Sequence, residues 1–215
     1  VTGLLNPFMS FGGGGPPPIE GTVINFLTES YTVNGVTVTA GDVVANPELV
    51  TADGLVITED VVDIIGDLLT LLLTANYTLV LAWDHLDYTG NIVPLAIINS
   101  GTSDDGLIIK RQSSGEFMNV SDFSGAHFRG AVDSSAAVGD NGHKVAVTRT
   151  NAKLKFSVDG RSVVTYSGDP DTFSIAPTTA AFGGNSGGFV FAETRIQSLT
   201  VLDPQDDSLL PTLSA

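Results

Sequence analysis

Residues His143–Gly168 read HKVAVTRTNAKLKFSVDGRSVVTYSG, and this stretch decides the fold class. Val145 and Val147 alternate with Lys144, Ala146 and Thr148, and Leu154, Phe156 and Val158 alternate with Lys155 and Ser157. A period of two marks strands with one buried face. Asp159-Gly160 follows at once, a pair that favours the positive φ angles of a tight hairpin turn. Arg161–Tyr166 supplies a return strand, and the loop Thr150–Lys153 joins the first two. The expectation is a three-stranded antiparallel meander.

Similar runs lie on both sides. Thr78–Asp84 (TLVLAWD), Ile92–Ile98 and Gly106–Arg111 precede the meander, and Ala180–Gly184 (AAFGG) and Thr194–Leu202 (TRIQSLTVL) follow it. In this order the pieces resemble the laminin-G or concanavalin A-like lectin-glucanase superfamily, of the kind found in tailed-bacteriophage virion proteins. The resemblance covers roughly residues 22–215 and implies an all-β fold. That fold is an antiparallel jelly-roll β-sandwich of a convex and a concave sheet, with a closing strand at Thr194–Leu202. It carries no catalytic signature.

The chain has 215 residues and no cysteine, so neither disulfides nor thiolate metal sites arise. Its 24 acidic residues against nine basic ones give a formal net charge of −15. Thirteen of the acidic residues precede Lys110, the first basic one. Such a surface repels phosphate backbones, which argues against nucleic-acid partners. It suits a basic protein surface, divalent cations or simple solvation. No run reaches the roughly 18 apolar residues of a membrane span. No basic region precedes an apolar core at the N-terminus, so no secretory signal is expected.

Residues 1–21 differ in kind from the rest and form a separate segment, an extended anchoring arm. Leu4, Leu5, Phe8, Met9 and Phe11 are an apolar cluster, followed by Gly12–Gly15 and Pro16–Pro18. Disordered tails are polar and charged. A greasy arm implies a covering surface, on a neighbouring subunit or on its own sandwich. Thr22–Leu27 and Ser30–Thr39 read as strands, the second folded into a hairpin about Asn34-Gly35. Gly41–Asn46 and Gly54–Thr58 are weaker strand candidates. Asp60–Ala75 has apolar residues close to helical spacing with acids at its start, and predicts the fold's one short helix. A β reading stays open for Leu69–Thr74. Thr102–Gly106, Gln112–Glu116, Phe123–Val138 and Gly183–Gly188 are expected to be connections. Pro211 limits any helix in Asp203–Ala215 to one turn.

Glycosidases of this superfamily carry Glu-x-Asp-x-x-Glu on a strand, and glycoside hydrolysis needs paired carboxylates. Glu59-Asp60-Val61-Val62-Asp63 comes nearest, with the wrong alternation. His85, His127 and His143 are not spaced as metal ligands, and His143 reads as a structural hydrogen-bonding residue. Ser186 in Gly-Asn-Ser-Gly-Gly lacks the strand-to-helix turn of a nucleophile elbow. Asp104, Asp105 and Asp133 offer hard oxygens suited to Ca2+, the one cofactor weighed. Tyr88, Phe123, Phe128 and Phe189 lie in or near expected loops, where aromatic rings can stack on sugars. The sequons at Asn76 and Asn119 matter only for a secreted eukaryotic chain.

The leading expectation is a non-enzymatic virion protein, a capsid decoration or head/tail surface protein anchored by its arm. Its partners would be other virion proteins or further copies of itself. The alternative is a lectin-like module for host glycans, and a polysaccharide hydrolase ranks third. Lys110, Arg111, Lys144, Arg149, Lys153 and Lys155 cluster in sequence. With Lys144 on one strand face and Lys153 and Lys155 on that of its neighbour, the meander is expected to show a mildly basic outer face.

Overall fold

The computed structural model describes residues 21–58, 61–74, 76–85, 92–98, 106–111, 118–124, 127–133, 142–150, 153–165, 177–185, 189–190 and 194–215. The apolar arm cluster therefore lies outside the described residues. The strands, in chain order, are β1 (Thr22–Asn25), β2 (Ser30–Val33), β3 (Val36–Val38), β4 (Val50–Thr51), β5 (Gly54–Ile57), β6 (Val62–Asp63), β7 (Tyr77–His85), β8 (Ile92–Ile98) and β9 (Gly106–Arg111). They continue with β10 (Met118–Ser124), β11 (His127–Asp133), β12 (His143–Thr150), β13 (Lys153–Val158), β14 (Val164–Thr165), β15 (Thr179–Phe182), β16 (Gly184–Asn185), β17 (Phe189–Val190) and β18 (Thr194–Leu202). Helix α1 spans Gly66–Leu72, and α2 spans Leu210–Leu213.

A ten-stranded antiparallel sheet runs β14-β13-β12-β7-β18-β1-β2-β3, with β5 beside β18 and β4 beside β5. A six-stranded sheet runs β11-β10-β9-β8-β15-β6. The expected meander is present as β12, β13 and β14, with Val147 opposite Phe156 and Phe156 opposite Val164. Its return strand is only Val164–Thr165, because the chain bulges after the Asp159-Gly160 turn (φ 50° and 69°). Asn34-Gly35 likewise takes positive φ at both residues and joins β2 to β3.

The closing strand β18 lies in the middle of the large sheet. Thr200 stands opposite Val80 of β7 on one side and Val23 of β1 on the other. Its lower half, Thr194–Ile196, pairs with β5 instead. A register shift between Ile196 and Ser198 separates the two halves, and Phe26 donates its N–H to the Gln197 carbonyl there. At this crowded junction Gly54 has φ +108°, and a Cβ on it would lie 2.6 Å from the Ile196 oxygen.

Alternation then fills the space between the sheets. From the large sheet come Leu79, Leu81, Trp83, Val145, Val147, Phe156, Leu199 and Val201, all buried. Leu95, Ile97, Leu107, Ile109, Val120 and Phe182 face them from the small sheet, within one apolar cluster. Each such side chain contributes about 1.5–3 kcal/mol relative to exposure, so this interior dominates the fold's stability.

The helix is shorter than its sequence spacing suggests. Val62 and Ile64 are buried while Asp63 is exposed, a period of two within what also reads as helical spacing. Val62 and Asp63 pair with β15, and Ile64 and Ile65 donate to the Ala180 and Val43 carbonyls. Only at Gly66 (φ +63°) does the backbone turn into α1, which buries Leu68, Leu71 and Leu72. Two further expectations are corrected. Gly41–Asn46 is no strand: a 3-10 turn covers Ala40–Asp42, where Thr39 donates N–H and Oγ1–H to Asp42 (2.8 and 2.6 Å). Phe123–Val138 is not simply a connection, since β10 and β11 pair through it. Antiparallel strands at a sheet margin tolerate polar sequence because one face can meet water.

The meander's outer face is also not the free basic surface its lysines suggest. Residues 203–215 lie across it. Leu210 is buried against Val80 and Ala146, with Val163 and Leu213 beside them. Lys155 is ion-paired to Asp207, and Lys144 Nζ donates to the Ala215 carbonyl (3.0 Å). Ser157 and Ser214 share a hydrogen bond of 2.9 Å, and the Gln205 N–H reaches Thr78 Oγ1 at 2.8 Å. Pro211 fits because it sits in the first turn of α2, where helical N–H groups have no intrahelical partner.

Replacing Leu81 by alanine is expected to lower unfolding free energy by about 2–5 kcal/mol, and Gly54→Ala by more than about 1 kcal/mol. Thr165→Ala, on an exposed edge, should stay within about 0.5 kcal/mol. Urea titrations of the three variants check this ranking.

Candidate functional site

The outer face of the six-stranded sheet carries a small apolar patch of its own, in which Val93, Ala96, Ile98 and Ala181 are buried and Ile108 is half-buried. Ala96 of β8 stands between Ala181 of β15 and Ile108 of β9, and Ile98 stands beside Thr179. Val93, Ala96, Ile98 and Ile108 form an apolar cluster separate from the main core. Lys110 is half-buried and points to the same side, because its neighbours Ile109 and Arg111 are turned inward. The exposed Asp63 lies at the opposite margin, across Ala181. Beyond Gly183, whose N–H meets the Pro94 carbonyl at 3.4 Å, β16 continues alongside β8 and turns back into β17. An apolar floor with a few placed polar groups is the usual make-up of a binding site.

A second polar arrangement closes one end of the interior. His143 is buried against Trp83, with ring centroids 5.5 Å apart. Its Nδ1–H donates to Asp159 Oδ2 at 3.0 Å, and Asp159 Oδ1 accepts the Lys144 N–H, also at 3.0 Å. Partial burial works against the Asp159 charge, yet these two hydrogen bonds and the charges of His143 and Arg161 outweigh it. The carboxyl is held below the ordinary aspartate range. The pair pins the Asp159-Gly160 turn to the start of β12, which is the structural hydrogen-bonding role expected of His143.

Arg111 and Arg149 are the residues that sequence reasoning misplaced. Grouped in sequence with the surface lysines, both are fully buried, on the inward faces of β9 and β12. The signal was parity: Arg111 continues Leu107 and Ile109, and Arg149 continues Val145 and Val147. Among the other candidates, Asp133 ends β11, and Phe123 and Phe128 occupy opposed register positions on β10 and β11. Phe189 begins β17. Tyr88, Asp104, Asp105, Ser186, Glu59 and Asp60 lie outside the described residues. Among the described residues no three His, Asp or Glu side chains are grouped to hold a metal ion, and no helix is long and apolar enough to cross a membrane.

Two stacked antiparallel sheets with a closing strand at the centre of the larger one define a jelly-roll β-sandwich of the concanavalin A-like kind. Solved structures share it. The chain is similar to the CBM40 domain of the Ruminococcus gnavus IT-sialidase bound to α2,3-sialyllactose, with a TM-score of 0.62 and 17% identity. That match covers 75% of this chain and 96% of the domain. It is also similar to Trypanosoma rangeli sialidase (TM-score 0.58, 14% identity), over 86% of this chain but 30% of the sialidase. The binding domain of botulinum neurotoxin DC in complex with SialylT matches with a TM-score of 0.52 and 11% identity, over 72% of this chain and 39% of that one. No family model and no curated protein matches the sequence.

Because its folded pKa is depressed, Asp159 contributes stability above the unfolded aspartate value of about 3.9. That contribution is lost as pH falls through the folded pKa. Asp159→Asn is expected to lower stability at neutral pH and to flatten the acid limb below about pH 4. Thermal melts of both proteins across that range measure the difference.

Proposed function

We propose that this chain is a non-catalytic carbohydrate-binding module whose ligand lies on the outer face of the six-stranded sheet. The observation that carries the reading is the extent of the structural likeness. It takes in nearly the whole of the CBM40 domain of the Ruminococcus gnavus IT-sialidase, but under a third of the Trypanosoma rangeli sialidase chain. The face itself supports it through its half-buried side chains: Ile108 offers an apolar contact for a sugar ring, and Thr179 and Lys110 offer polar ones. Lys110 favours a sugar bearing a carboxylate. The net charge of −15 opposes this only weakly at close range, since charges beyond about 8 Å are screened at physiological salt. The body's charge slows the approach of an anionic glycan more than it changes preference at the site.

A second reading, display on a virion surface, rests on the composition of the arm. It is compatible with the first, because an anchored module can still bind glycans.

Titrating the full chain with 3′-sialyllactose, and with lactose for comparison, tests the proposal. Saturable binding of the sialylated sugar is expected. Lys110→Glu should weaken it by more than about tenfold without shifting the melting temperature. Failure to bind any member of a wider glycan panel, or binding indifferent to Lys110→Glu, overturns it.

A further inference from the structure

The outer face of the ten-stranded sheet is divided. Its β7-β12-β13 half is closed by residues 203–215 of the same chain. Its other half, formed by β18, β1, β2 and β3, is open: Val23 is 42% exposed, and Thr37 and Ser30 are exposed as well. Across this open half a row runs Thr37, Thr32, Val23, Thr200, in register from the sheet edge inward. Asn25, Ser30 and Ser198 form the next row. None of these residues is charged, in a chain carrying 24 acidic side chains. Glu29, in the turn between β1 and β2, stands only at the corner.

We propose that this open half is the contact surface for a second copy of the chain, and that residues 4–11 of that copy lie across it. Three observations carry the inference. The first is electrostatic. Two bodies of net charge −15 repel each other over most of their surfaces, and like charges brought together at an interface are strongly disfavoured. An uncharged face is where two copies can meet.

The second is area. Four strands about 4.8 Å apart and a few residues long present only a few hundred Å2. A stable interface takes about 800 Å2 from each partner. The face alone falls short, and a segment rich in large apolar side chains makes up the difference.

The third is position. Thr22 Oγ1 accepts the Asn34 N–H at 3.0 Å, so the arm enters β1 beside the β2–β3 turn and next to Val36. Residues 12–21 span up to about 33 Å. That reach takes Leu4, Leu5, Phe8, Met9 and Phe11 across a two-fold axis onto the partner's open half, with the reciprocal exchange following from symmetry.

Light scattering during size exclusion of the full chain is expected to give twice the mass of one chain. Thr32→Glu and Thr200→Glu, and Ser30→Glu as a third variant at an exposed position, should each weaken association by more than about tenfold. Melting temperatures taken at a concentration where all are monomeric should not change. Phe8→Asp in the arm should have the same effect, and Thr165→Glu at the opposite sheet edge should have none. Raising salt should tighten the dimer, because it screens repulsion between the bodies without removing a salt bridge. A monomeric full chain at all accessible concentrations overturns the proposal. So does a dimer indifferent to the three face variants, or to Phe8→Asp. Glycan binding by a monomeric chain would overturn this inference alone and leave the proposed function standing.

Discussion

The interior between the two sheets is the constraint on which the rest of the molecule depends. Every long strand must turn one set of alternate residues into it, and the sequence supplies apolar side chains there at Leu79, Leu81 and Trp83, at Val145 and Val147, and at Leu199 and Val201. A slip of one residue on any of these strands would reverse the faces. On β12 it would turn Lys144 and Thr148 into the core. Register is therefore fixed by burial rather than by turn chemistry alone. The interior also tolerates two arginines and a histidine on its inward-facing positions, which is costly unless each is compensated. For His143 the compensation is visible: a carboxylate at hydrogen-bonding distance, itself held by a backbone N–H.

The two outer faces are treated differently, and that difference organises what the molecule offers to others. Over β7, β12 and β13 the chain's own tail buries Val80 and Ala146 and takes up both Lys144 and Lys155. The Lys155–Asp207 ion pair is partly exposed and contributes little, about 0–1 kcal/mol. The leucines of α2 do more. The sheet is thereby left with two uncharged rows across β18, β1, β2 and β3. On the smaller sheet the outward residues make a mostly buried apolar patch, with Ile108, Thr179 and Lys110 half-buried at its surface. The protein thus has two unlike faces on opposite sides of one core.

Much of the fold was legible because period-two alternation is a direct imprint of burial. Val145–Thr148, Leu154–Val158 and Thr194–Leu202 announce their strands, and Asn34-Gly35 and Asp159-Gly160 announce their turns. Legibility failed where one segment satisfies two periods. Val61–Leu72 fits a helix along its whole length, and only the pairing of Val62 and Asp63 with Phe182 and Ala181, distant in sequence, makes its first part a strand. It failed again at Phe123–Val138, where polar composition hid a marginal strand pair. The candidate site was hardly legible at all. Lys110 and Arg111 are adjacent, chemically alike and opposite in fate. A register shift between Ile92 and Leu95 in the paired strand blurs the parity that would separate them. Nor does local sequence show that the meander's lysines are answered by a segment some fifty residues further on.

The central position of β18 has a consequence for how the protein comes into being. A ribosome delivers residues in order, and Thr194–Leu202 emerges after all the other strands of the two sheets. Until then β1, β2 and β3 have no neighbour joining them to β7, and the larger sheet exists as two unconnected parts with a gap where its middle belongs. Local hairpins can form early, but the long-range pairings that complete the sheet come late, which is the kind of topology that folds slowly. Nascent chains would pass through a period with the flanks of that gap bare, and shielding by a chaperone would matter most then. Translation that stops before Thr194 would leave a chain with the other strands and no way to join the two parts of the larger sheet.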